Sequence, residues 1–195
     1  MKKILLAIPT RGQIHPLTMD TVIGLLADTR HQVEMFQGWT GRGPEEARSH
    51  IAKYFLANDY DFMLTIDDDV SLDKNPLDMV ELNKDVIGCP YPVLMTNGIQ
   101  LCAYRDEKAI RGKGLEQVDE LGLGCTLIAR RVIESLKDEV PFVAIRNLDG
   151  TWRVSEDRAF CRKAKQKGFE IWANFDILPH HFVDIDLTKY WINVK

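Results

Sequence analysis

The sequence contains no closely spaced pair of cysteines. Cys89, Cys102, Cys125 and Cys161 stand singly. Zinc sites built on cysteine nearly always use two thiols a few residues apart, so a site of that kind is excluded. Disulfide scaffolds belong to smaller secreted chains, and the thiols read as reduced, several of them buried. An excess of basic charge is also missing. The formal net charge is −4, which removes the electrostatic footprint of a protein that grips a nucleic-acid backbone. The densest basic run, Arg158, Arg162, Lys163, Lys165 and Lys167, reads as a solvated helix face. No apolar run approaches the roughly 20 residues that span a bilayer. Residues 4–8 imitate the core of a signal peptide, but Pro9 ends the run and Thr10-Arg11-Gly12 offers no cleavage pattern. The expectation is a soluble, cytoplasmic protein. There is no internal repeat and no low-complexity segment.

What is present suits one globular domain over residues 1–195, with 45% hydrophobic and 28% charged residues. Residues 4–8 predict a central parallel strand. Leu17, Val22, Ile23, Leu25 and Leu26 predict a helix over 16–27, and a second strand follows at 32–37. Residues 38–43 are polar and glycine-bearing, a loop. Pro44-Glu45-Glu46 then opens a helix, with proline in the first turn and carboxylates at the positive end of the dipole. Ala47, Ile51, Ala52, Phe55 and Leu56 form its apolar face.

The next strand, 61–66, runs into Asp67-Asp68-Asp69. This strand–helix alternation predicts a Rossmann-like, mostly parallel α/β sheet flanked by helices. Such sheets bind ligands beyond the carboxyl ends of their strands, where the three aspartates fall. Further on, the pattern predicts a helix at 76–82, a strand at 85–89 and strand-like 99–104. Residues 122–128 follow, then helices at 130–136 and 155–167 (the second stopped by Gly168) and a strand at 169–173. The weak pattern over 91–123 reads as a seam between two halves of the domain, about 1–98 and 99–195.

In an extended chain alternate side chains share a face, so Asp67 and Asp69 are expected to point together. Two such carboxylates repel unless a cation neutralises them, and hard oxygen ligands suit Mg²⁺ or Mn²⁺. The alternative is an acidic turn in which Asp68 or Asp69 caps a backbone group.

Four blocks in order carry a family resemblance: Arg48-Ser49-His50-Ile51-Ala52 with the strand into Asp67-Asp68-Asp69, Gly122-Leu123-Gly124-Cys125-Thr126-Leu127-Ile128, Ser155-Glu156-Asp157-Arg158, and Leu178-Pro179-His180-His181. Together they resemble the DxD-containing GT-A glycosyltransferases, in particular compact family-2-like members of bacteria and bacteriophages. The resemblance implies a nucleotide-sugar donor half (1–98), an acceptor half (99–195) and a Mn²⁺ or Mg²⁺ cofactor. It implies Asp69 as metal ligand, Asp67 nearer the ribose and nucleotide with Asp68 beside it, and His180 or His181 completing the shell. His180 is preferred, because it follows the apolar Ile177-Leu178 approach.

Pro9, Thr10 and Arg11 would meet the nucleotide, with Thr10 on base or ribose, Arg11 on phosphate and Arg48 as a second cation. Gly122 and Gly124 allow close backbone approach, to substrate or to a neighbouring strand. Trp152 would stack on an acceptor sugar or cap the core. Asp157 would be the general base of an inverting transfer, with Glu156 orienting it or touching the acceptor. The bland reading of both acids is complementarity to the helix dipole.

The expected activity is therefore metal-dependent transfer of sugar from a nucleotide sugar, of the UDP or GDP class, to a hydroxyl of a saccharide, a protein or a modified DNA base. The rivals are a nucleotide-sugar-binding module without turnover and a metal-dependent phosphohydrolase. Sequence leaves the oligomeric state open.

Overall fold

The computed structural model describes residues 1–39, 43–95 and 98–184. In chain order, β1 (Lys3–Thr10), α1 (Pro16–Leu26), β2 (Gln32–Trp39), α2 (Pro44–Ala57) and β3 (Phe62–Ile66) reproduce the predicted alternation. After β4 (Val70–Ser71) comes a 3-10 turn (Pro76–Leu82), tighter than the helix expected there, with the Asn75 side chain accepting from Leu77 N–H. Then follow β5 (Val86–Gly88), β6 (Pro92–Met95), β7 (Gly98–Leu101), β8 (Ala103–Arg105), β9 (Lys108–Ala109), β10 (Leu115–Val118) and β11 (Glu120–Leu121). The chain continues through β12 (Cys125–Ala129), α3 (Arg130–Ser135), β13 (Ile145–Arg146), β14 (Trp152–Val154), α4 (Glu156–Gln166), β15 (Ile171–Asn174) and β16 (His180–His181).

The central sheet has seven strands in the order β10-β15-β5-β12-β3-β1-β2. β2, β1, β3, β5 and β15 run one way, and β12 and β10 run against them. The sheet is thus mostly parallel, as expected. β12 lies between β3 and β5, so strands from before and after residue 98 interleave in one sheet.

Both faces of the sheet are covered, which is why β1 is an unbroken apolar run. Leu5 and Ala7 face one way, with Ile51 and Phe55 of α2, Val132 and Ile133 of α3 and Phe160 of α4. Ile4, Leu6 and Ile8 face the other way, with Val22 and Leu25 of α1 and Leu77 and Met79 of the 3-10 turn.

α1 buries Thr18, Val22 and Leu25, while Leu17, Ile23 and Leu26 lie exposed. Half its apolar positions are therefore not core. α4 closes as foretold: Gly168 takes φ +90, Phe169 N–H donates to Ala164 O and Gly168 N–H to Lys165 O. Of the loop expected at 38–43, Gly38 and Trp39 belong to β2, Gly43 precedes α2, and 40–42 lie outside the described residues. The weak stretch is a hairpin (β6, β7), a small sheet (β11, β8, β9) and an edge strand, β10. All four cysteines are buried and unbridged. Among the described residues no helix is long and apolar enough to cross a membrane.

Candidate active site

A cavity of about 620 Å³ opens beyond the carboxyl ends of β1 and β3, bounded also by the N-terminal turns of α2 and α4. It gathers Pro9, Thr10, Arg11, Arg48, the three aspartates, Gly122, Glu156, Asp157 and His181.

The aspartates do not continue the strand. β3 ends at Ile66, and Val70 N–H donates to the carbonyl of Asp67 at 3.1 Å, closing a turn over the three acids. Their side chains therefore part, against the expectation for extended chain. Asp67 Oδ1 accepts from Arg48 Nη2 at 2.6 Å, Asp68 Oδ2 accepts from the backbone N–H of Arg11 at 3.3 Å, and Asp69 Oδ2 lies 3.5 Å from His181 Nε2. Asp69 is more open than Asp67, its side chain 44% exposed against 22%. Burial pushes the Asp67 carboxyl up to about 6; Arg48 pulls it back, and Asp157, Asp69 and Asp68 push it further up.

Arg48 was expected to reach a phosphate. It is 3% exposed, and its Nη1 donates to Glu156 Oε1 at 2.6 Å while Nη2 serves Asp67. This guanidinium is committed inside the protein, and it ties the aspartate turn to the start of α4. Arg48 Nε and Glu156 Oε2 have no hydrogen-bond partner among the described residues. Burial, with Asp157 alongside, raises the Glu156 carboxyl to about 7 despite Arg48. Thr10 is likewise engaged at home: its hydroxyl accepts from Gly12 N–H and donates to Gln13 O. Arg11 and Arg153 line the cavity without an ion-pair partner among the described residues.

The two histidines sit on β16, which pairs antiparallel with β4 through His180↔Ser71 and His181↔Val70. Adjacent strand residues point to opposite faces. His181 turns to the cavity and Asp69, with its Nδ1 2.8 Å from the carbonyl of Pro92. His180, preferred on sequence, turns away, and its Nε2 lies 3.0 Å from Asp73 Oδ2. A carbonyl only accepts, so Nδ1 of His181 carries the proton and the Nε2 of the neutral ring has its lone pair free. The side-chain contact with Asp69 raises the affinity of His181 for a second proton, against the opposing effect of burial.

Gly122 and Gly124 are explained by close packing. A Cβ on Gly124 would fall 2.7 Å from Tyr91 Cε1 and 2.9 Å from Asp67 Oδ2, and one on Gly122 would fall 2.7 Å from Cys102 Sγ. Tyr91, like Arg153 and Tyr104, is a cavity residue that sequence reasoning missed; its one signal is the Pro90-Tyr91-Pro92 triplet. Ser155 holds the N-cap position of α4 without a side-chain cap, Glu156 and Asp157 fill the first turn, and Leu123 N–H points to Asp157 Oδ2 at 3.5 Å. Trp152 lies on β14, and its side chain is outside the described set.

The basic run on α4 is ion-paired rather than merely solvated. Arg158 and Arg162 hold the buried Glu120, Lys165 pairs with Asp119, and Lys167 pairs with Glu139 at 2.9 Å.

Among the described residues no group of three His, Cys, Asp or Glu side chains is placed to hold a metal by itself. No family profile matches the chain. No curated protein sequence matches it either. Solved structures do. The crystal structure of A197 from STIV superposes with a TM-score of 0.66 at 21% identity, over 94% of this chain and 87% of that one. That of GalNAc-T7 with UDP, GalNAc and Mn²⁺ gives 0.61 at 11% identity, over 95% of this chain and 44% of that one. The fold is GT-A-like. Within it, the aspartate turn, β16 and the start of α4 meet at one cavity.

Proposed function

We propose that the protein is a metal-dependent glycosyltransferase, moving sugar from a nucleotide-sugar donor to an acceptor hydroxyl with Asp157 as base. The observation that carries this reading is the pair Asp69 and His181. An imidazole nitrogen with a free lone pair faces a carboxylate oxygen at 3.5 Å in an open cavity. Two electron-rich atoms so disposed call for a cation between them, either a proton or a metal ion.

The donor set of one carboxylate and one imidazole fits Mn²⁺ better than Mg²⁺. Two protein ligands are enough where substrate phosphates and waters complete the shell. The lack of a three-residue cluster is therefore compatible with the reading. Asp69 and His181 would hold the ion, and once bound it offsets negative charge growing on the leaving diphosphate. Arg11, whose guanidinium has no ion-pair partner among the described residues, would supply a cation for the same phosphates. Asp157, at the positive end of the α4 dipole, would take the proton of the acceptor hydroxyl as that oxygen attacks the anomeric carbon. Glu156, gripped by Arg48, fixes the turn on which Asp157 sits.

GalNAc-T7 was crystallised with UDP and Mn²⁺, which makes that pair the first to try. The test is thermal unfolding with a panel of UDP- and GDP-sugars, with and without Mn²⁺. A ligand at 100 times its Kd should stabilise by about 2.7 kcal/mol. Stabilisation by a nucleotide sugar only with the metal, followed by transfer to a saccharide, protein or modified-base acceptor, supports the reading. Release of phosphate with no acceptor would instead mark a phosphohydrolase.

A further inference from the structure

We propose that Tyr91 is a positioning residue: together with the carbonyl of Pro92 it holds the His181 imidazole so that Nε2 faces Asp69. The inference rests on the reading of Asp69 and His181 given above.

His181 needs such support. It stands on a strand of only two residues. Two contacts restrain its ring. Nδ1 lies 2.8 Å from Pro92 O, and the Tyr91 ring meets the imidazole at 5.1 Å between centroids with 70° between planes. The first sets the tautomer, and the second sets the plane of the ring. Both come from consecutive residues, so they move as one unit.

That unit is itself packed and hydrogen-bonded. Tyr91 is 5% exposed, its N–H donates to Cys102 Sγ at 3.3 Å, and its carbonyl accepts from Cys102 N–H at 3.1 Å. Pro90 and Pro92 restrict the backbone on either side. The ring is seated on Gly124, where a Cβ would strike it, and its hydroxyl end lies over Gly122. A Cβ on Gly124 would also fall 2.9 Å from Asp67 Oδ2, and Asp67 N–H donates to the Gly124 carbonyl at 3.0 Å, so the same glycine borders the aspartate turn. The contact with the imidazole is made by the tyrosine ring. Only the ring is needed.

The test uses the full-length chain with Tyr91→Phe and Tyr91→Leu. Imidazole ¹⁵N chemical shifts of His181, assigned by comparison with His181→Ala, report the tautomer in metal-free protein at a pH where the ring is neutral. Free Mn²⁺, followed by electron paramagnetic resonance, reports affinity. Tyr91→Phe is expected to keep the Nδ1–H tautomer and the wild-type Mn²⁺ affinity. Tyr91→Leu is expected to give mixed tautomers and to weaken Mn²⁺ about 10–100-fold, the range for residues that orient a ligand. Its thermal unfolding should remain cooperative; should it fail to fold, Tyr91→Met supplies flexible bulk without a ring and the same expectation. A wild-type tautomer and affinity in the Leu or Met variant overturns the proposal, as does loss of either in Tyr91→Phe. If wild-type protein binds no Mn²⁺, the metal reading fails by itself, and the ¹⁵N shifts alone decide the role of Tyr91.

Discussion

Asp67 and Glu156 share one buried guanidinium: Arg48 donates to each at 2.6 Å. Removing one partner from such a group strands charge in a dry place, which typically costs about 3–5 kcal/mol. Arg48→Met should lose about that much stability in urea unfolding. Arg48→Lys should recover little, because a single ammonium cannot bridge two carboxylates with a planar fork. A loss below about 1 kcal/mol, as for a surface pair, would mean the bridge is not buried in solution.

The same bridge should leave a mark in the pH dependence of stability. The Glu156 carboxyl is raised from 4.5 to about 7, by burial first and then by Asp157. A carboxyl whose folded value lies above its unfolded value contributes stability that is complete below the unfolded value and lost as pH rises through the folded one. Wild-type protein should therefore lose stability from this source between about pH 5 and pH 8, and Glu156→Gln should not. The measurement is the unfolding midpoint of both proteins in chelator across that range. Parallel curves would show that Glu156 titrates alike in both states.

At the proposed cation site, Asp69→Asn and His181→Ala should each abolish or strongly weaken Mn²⁺-dependent binding of a nucleotide sugar. His180→Ala should leave it near wild type, since that ring faces Asp73 on the other side of β16. The Asp69 side chain is well exposed, so the fold should survive its loss. Equal, small effects from both histidine substitutions would remove His181 from the site.

Much of this arrangement was legible because it depends on local pattern. The apolar run of β1, the helix start at Pro44 and the acids beyond β3 are each set by neighbours in sequence. What escaped depends on partners far along the chain. The apolar Ile177-Leu178 approach pointed to His180, but the pairing of β16 with β4 turns His181 inward. Arg48 looks like a phosphate ligand until Glu156 is seen beside it. The aspartates are the local exception: Asp67 and Asp69 share a face only if the strand continues, and a turn closed by the Val70 N–H three residues on ends it. Tyr91 carried no charge to draw notice, and its role comes from two glycines on another segment.

Asp157 separates a transferase from a binding module. It lines the cavity at the first turn of α4, and no cation is paired with it among the described residues. Asp157→Asn keeps the size of the side chain and an oxygen able to accept from Leu123 N–H. Fold and donor affinity should therefore change little. The proton acceptor is what disappears, and a positioned base contributes about 10²–10⁴-fold to rate. Donor titration followed by single-turnover transfer is the appropriate pair of measurements, because it reads binding and chemistry apart. The expected result is near-normal Mn²⁺-dependent donor binding with transfer slowed by about 10²–10⁴-fold, while slow loss of donor sugar to water persists. Transfer at the wild-type rate would remove Asp157 as base and favour a retaining reaction, in which that carboxylate binds the acceptor. Tight Mn²⁺-dependent donor binding by wild-type protein, with no turnover onto any acceptor or water, would leave a binding module as the better account of this cavity.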